Sequence, residues 1–134
     1  MTTHHAALIY TMVLIAAADR DMTDAEMASI GDMVAHLPVF RDYDRSKIAS
    51  TAAGCIDLLG KENGLDRLIK DIKQGLPEKL RETAYALACD VAAADGKVTQ
   101  EEARLLELLR FGLSIGRLPA AAIERGARAR HLTI

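Results

Sequence analysis

The stretch AAADRDMTDAE at positions 16–26 returns as AAADGKVTQEE at positions 92–102, an offset of 76 residues. Six of the eleven positions are identical: the three alanines, the aspartate, the threonine and the final glutamate. Apolar positions match beyond the stretch at the same offset: Val13 with Cys89, Ile15 with Val91, Ile30 with Leu106 and Met33 with Leu109. A repeat of this kind constrains the fold before any other feature does. One helix–turn–helix hairpin is expected twice. The two hairpins can pack about a pseudo-twofold axis, with the helices between them closing the side.

The rest of the chain carries the same helical signal. Alanine, leucine, glutamate, lysine and arginine dominate, and no strand-like alternation is sustained. Helix 1 is expected from about His5 to Ala18. The thirteen residues Ala6 to Ala18 hold no charge and are apolar nearly all the way round, the mark of a central buried helix. Helix 2 starts after Thr23 and runs to about His36, with Met27, Ile30, Met33, Val34 and Leu37 inside and Pro38 stopping it. Helix 3 begins at Asp44 or Ser46, with Ile48, Ala52, Cys55, Ile56 and Leu59 inside. Gly60 and Gly64 punctuate the turn to helix 4, Leu65 to Gln74. Pro77 suits the first position of helix 5, which runs to Ala94. Helix 6 follows Thr99 and reaches about Ile115, and Pro119 opens a short helix 7. The expectation is an all-α bundle of about seven helices.

With 134 residues and no long linker, the chain makes one domain, residues 1–134, large enough to bury a core unaided. Half the residues are hydrophobic, which argues against disorder. The net charge of -2 argues against nucleic-acid binding through bulk charge. The first apolar run lacks a basic flank and is too short to span a bilayer, so no membrane insertion is expected. Cys55 and Cys89 lie in apolar helical patterns without CxxC spacing, as buried free thiols of a cytoplasmic protein do.

Each repeated turn has a structural explanation. Thr23 and Thr99 are good N-caps, and Glu26 and Glu102 fall three residues later, the capping-box spacing. Met22 and Val98 precede the caps, where a hydrophobic staple would pack. Asp19 and Asp95 are less well explained. Each stands where a helix ends, at a negative dipole end that favours a cation. Asp19, Asp21, Asp24 and Glu26 place four carboxylates in eight residues, relieved by Arg20. The spacing starts like a calcium loop and then fails, because glutamate comes at position 8 rather than 12 and position 6 is not glycine. Weak binding of a hard divalent cation, calcium or similar, stays open through carboxylate and carbonyl oxygens.

The duplicated turn in an all-helical chain of this size resembles the tellurite-resistance protein B (TerB-like) family. The matching motifs are Ala17-Ala18-Asp19 through Glu26 and Ala93-Ala94-Asp95-Gly96 through Glu102, and the likeness runs from about residue 5 to 115. The resemblance implies a compact cytoplasmic helical domain tied to resistance to tellurite and related stresses. It also implies an acidic surface at the repeated turns, linked to divalent metal binding. Fusions of similar domains to others, such as J-domains, imply an interaction role. Two departures bear on the metal. Arg20 replaces the glycine that follows the aspartate in the second copy, and Lys97 stands where the first copy has Asp21. Asp19, Asp21 and Glu26 are therefore the better metal ligands. Asp95 and Glu102 contribute only if the pseudo-twofold brings the turns together.

Asp90 interrupts an apolar helix, where the first copy has Leu14. It faces solvent, pairs with an arginine or histidine, or joins the acidic site. His4, His5, His36 and His131 show no metal-ligand spacing and are expected on the surface. No nucleophile elbow, P-loop or Rossmann glycine pattern is present, so no enzyme is expected. The last eighteen residues hold Arg117, Arg125, Arg128 and Arg130 against Glu124, which suits a helix C-terminus. Two functions follow: a stress-resistance protein binding a divalent cation weakly at its acidic turns, or a helical adaptor docking a protein partner. The adaptor predicts an exposed apolar patch on one face of the bundle.

Overall fold

The computed structural model of the chain describes residues 2–18, 22–94 and 96–134. Among them are seven α-helices and no strand: α1 (His4–Ala16), α2 (Asp24–His36), α3 (Ile48–Leu59), α4 (Gly64–Gly75), α5 (Arg81–Ala93), α6 (Gln100–Gly112) and α7 (Arg117–Arg130). Single 3-10 turns, Pro38–Phe40, Arg45–Lys47 and Glu78–Leu80, lead out of α2, into α3 and into α5.

Helix α1 is the centre of the bundle. Every residue from Ala7 to Ala16 except Tyr10 is buried. It packs chiefly on α5, α3 and α4. A helix covered on all sides has no place for an unpaired polar group, and Thr11 meets the condition by donating its hydroxyl to Ala7 O at 2.8 Å. The all-round apolar pattern of helix 1 therefore has its expected meaning. Helix α4 is the opposite case, with Leu68 and Ile72 buried and a charged outer face.

Three local details differ from the sequence pattern. Pro77 does not open α5; it is extended, and a 3-10 turn separates it from the helix. Leu76 before it is extended as well (ψ 128°), the conformation that a following proline favours. Helix α7 is not short and begins two residues before Pro119. Proline is tolerated there because first-turn N–H groups have no intrahelical acceptor anyway. Ile56 is not inside: it is 45% exposed, while Ala52 and Cys55 are the buried residues of α3. The turn from α3 to α4 depends on Gly64, where a Cβ would collide with the backbone oxygen of Leu58.

Candidate functional site

The repeated turns take the expected cap geometry. At α2, Thr23 Oγ1 accepts from Glu26 N–H at 3.1 Å, and Glu26 Oε1 accepts from Thr23 N–H at 2.9 Å. At α6, Thr99 and Glu102 repeat both bonds at the same two distances. Both glutamates proposed as metal ligands are thus engaged as helix caps. Asp19, Asp21 and Asp95 lie outside the described residues, as does Arg20. Among the described residues, no three His, Cys, Asp or Glu side chains gather as a metal site would require. Gly96, at φ +84°, occupies the left-handed region that glycine adopts without strain. The staples differ: Met22 packs against the core, whereas Val98 is 50% exposed.

Val98 belongs to a second feature, a groove of about 610 Å³ between α6 and α7 with α5 as its floor. Helix α5 holds α7 tightly and α6 less so. Small side chains leave the space open: Ala93 on the floor, Ala103 on the α6 wall and Ala127 on the α7 wall. Leu106 and Cys89 add apolar lining. Three large apolar residues stand on its edge exposed to solvent: Phe111 at 64%, Leu132 at 72% and Val98 at 50%. Six large hydrophobics are exposed among the described residues, and half of them border this one groove. Concentration of that kind makes the groove a candidate site.

The floor is anchored by two polar contacts that fix α7 alongside α5. The buried Tyr85 hydroxyl donates to Glu124 Oε2 at 2.5 Å. Burial first, and that bond second, raise the Tyr85 pKa above its ordinary value. Farther along, Asp90 Oδ1 meets Arg130 Nη2 at 2.6 Å and His131 Nε2 at 3.4 Å. Of the alternatives the sequence left for Asp90, the pairing with Arg130 is the one realised, and His131 lies against the same carboxylate rather than standing as a plain surface residue. The Cys89 thiol is pushed up to about 12, by burial first and the Glu124 charge second, so it is no nucleophile at neutral pH.

The walls are charged. Glu107 and Arg110 face the groove from α6, and Glu124 and Arg128 from α7. Among the described residues no ion pair joins any of the four. The Arg110 guanidinium lies 5.0 Å over the Phe111 ring, and its Nε is buried without a partner.

A smaller hollow of about 320 Å³ sits beside the C-terminus of α2. Its lining includes Arg41 and Arg45, cations near the negative end of a helix dipole, with His36 beside them. Next to it His5, which the sequence pattern placed on the surface, is half-buried against Phe40 and Tyr43. Its Nε2 is 2.8 Å from Val39 O, and because a carbonyl only accepts, that nitrogen carries the proton. The contact ties the start of α1 to the turn after α2. Both features have a structural account.

The sequence pattern missed the groove. Its signal was available only in retrospect, in an apolar Phe111 and Leu132 outside any inner stripe and in alanines at wall positions.

No helix among the described residues is long and apolar enough to cross a membrane. No curated protein and no solved structure shows significant similarity to the chain. The family described as Tellurite resistance protein TerB matches residues 5–124, nearly all of the bundle from α1 into α7, and the chain belongs to that family.

Proposed function

We propose that this TerB-family chain acts in cytoplasmic resistance to tellurite and related stress as a docking domain, its contact face being the groove between α6 and α7. The observation that supports this reading is the clustering of Val98, Phe111 and Leu132, all exposed, around an apolar hollow. Docking, not catalysis, is the role assigned. Ala103 offers the direct test, because it is exposed on the groove wall and a larger side chain there fills the hollow without entering the core. In cells lacking their own copy of the gene, Ala103→Trp is expected to lower tellurite tolerance to near that of the deletion. Its thermal midpoint is expected to match the wild type. Full tolerance with the groove blocked would overturn the docking reading.

A second reading has support of its own. The cap at α2 uses only Oε1 of Glu26, accepting from both the Thr23 N–H and the Thr23 hydroxyl. A carboxylate can cap a helix with one oxygen and ligate with the other. Weak divalent-cation binding at the repeated turns, through Asp19, Asp21 and Glu26 with Asp95 and Glu102 of the second copy, is the role this supports. Thermal unfolding of metal-stripped protein checks it, with calcium, magnesium, manganese or zinc added singly. A ligand at a hundredfold excess over its Kd stabilises the folded state by about 2.7 kcal/mol. A rise with one cation, lost in Asp19→Ala/Asp95→Ala, supports the site. No rise at millimolar concentrations reduces the turns to caps.

A further inference from the structure

The inner face of α2 is built differently from those of other helices in the bundle. Three of the chain's five methionines, Met22, Met27 and Met33, fall on it or directly before it. All three are half-buried and pack against the core. Only Ile30 and Val34 of this helix are fully buried. The inner faces of α4 and α6 carry leucine and isoleucine, with no methionine. Met12, in α1, has no exposed surface. Three of these thioethers are therefore within reach of solvent, and a fourth is sealed. We infer that α2 is an oxidation-responsive helix, which a hydroperoxide loosens from α1 by converting Met22, Met27 and Met33 to sulfoxides. This goes beyond the docking reading and does not depend on it.

The chemistry needs no catalyst from the protein. The sulfur lone pair attacks a peroxide oxygen, an S–O bond forms as the O–O bond breaks, and the remainder leaves as water or an alcohol. Sulfur is oxidised by two electrons and the peroxide is reduced by two. The flexible apolar side chain becomes a polar one with an acceptor oxygen. Helix α1, on which α2 packs, offers that oxygen no free donor among its buried residues. The Thr11 hydroxyl is already donated to Ala7 O, and the Tyr10 hydroxyl lies beside Gly54 of α3. A polar group left unsatisfied against the core is costly, so the oxidised face is better placed in water. Met22 and Met27 also hold the positions, before the Thr23 cap and one turn inside it, that a hydrophobic staple pairs. At the Thr99 cap the same positions are Val98 and Ala103, which peroxide leaves intact. The response therefore belongs to the first hairpin. Burial keeps Cys55 and Cys89 protonated, which spares both thiols.

The test exposes the full chain to hydrogen peroxide and reads two quantities. Mass spectrometry of proteolytic fragments is expected to find sulfoxide at Met22, Met27 and Met33 well before Met12. Amide hydrogen exchange in α2 is expected to speed up about tenfold, the scale set by one unsatisfied polar group, while α1 and α4 stay protected. Treatment with methionine sulfoxide reductases should restore slow exchange. Met22→Leu/Met27→Leu/Met33→Leu, which nearly conserves volume, should keep slow exchange in peroxide. Met27→Gln/Met33→Gln puts polar groups on the same face and should show fast exchange without peroxide. This second variant keeps the test valid if the leucine variant misfolds. Oxidation of Met12 at the same rate as the other three overturns the inference, since the whole bundle would then be opening. Sulfoxides that leave α2 exchange unchanged overturn it as well. So does a leucine variant that loosens in peroxide as the wild type does, or a glutamine variant that exchanges as slowly as the untreated wild type.

Discussion

Ile9→Ala is expected to destabilise the bundle by about 2–5 kcal/mol, the range for truncating a buried aliphatic side chain. Ile9 has no exposed surface, and its helix is covered on all sides by α5, α3, α4 and smaller contacts from α2 and α6. A cavity there has no edge from which neighbours can relax inward. The loss is large against the 5–15 kcal/mol total of an ordinary domain. Ile56→Ala provides the contrast, because the same chemical change at a residue 45% exposed leaves little cavity. Urea unfolding of both variants reads the difference as a lower midpoint at unchanged slope for Ile9→Ala. Equal shifts for the two would contradict the central placement of α1.

That contrast also shows where sequence pattern stops being informative. Helix α1 was legible because an all-round apolar surface has one meaning wherever its neighbours lie. The caps of α2 and α6 were legible because a capping box is local: Thr23 and Glu26, or Thr99 and Glu102, meet within one turn. Ile56 was not, since its periodic position says which face it shares but not which helix covers that face. Asp90 was left open for the same reason, as Arg130 and His131 are forty residues away. The candidate site divides likewise. The glutamates at 26 and 102 could be placed as caps, while the aspartates at 19, 21 and 95 lie outside the described residues. The groove was illegible because it is made by side chains that are too small, Ala93, Ala103 and Ala127, on three elements at once. A gap leaves no periodic trace in the chain.

Raising the pH from 8 to 10.5 is expected to remove about 4 kcal/mol of stability, through two thiols that the fold keeps protonated. Burial pushes Cys55 from an ordinary value of 9.0 up to about 12, and its thiol donates to Tyr10 O at 3.7 Å. Cys89 is pushed up to about 12 as well, and Tyr85 is raised in the same direction. The unfolded chain releases each thiol proton near pH 9, whereas the folded chain holds it until about 12. Above pH 9 the unfolded state therefore binds fewer protons, and stability falls as pH rises. The contribution is fully present below pH 9 and lost progressively toward pH 12. Each thiol withdraws about 1.4 kcal/mol per pH unit in that window. Urea midpoints measured under reductant at pH 8, 9, 10 and 10.5 follow the loss. In Cys55→Ala/Cys89→Ala the slope above pH 9 should shrink to what Tyr85 and the rest of the chain contribute, whatever the variant costs at pH 8. The same slope with and without the thiols would mean that neither is held from solvent. Cys89 would then be open to solvent at the groove floor, and the hollow would reach deeper into α5 than its lining residues indicate.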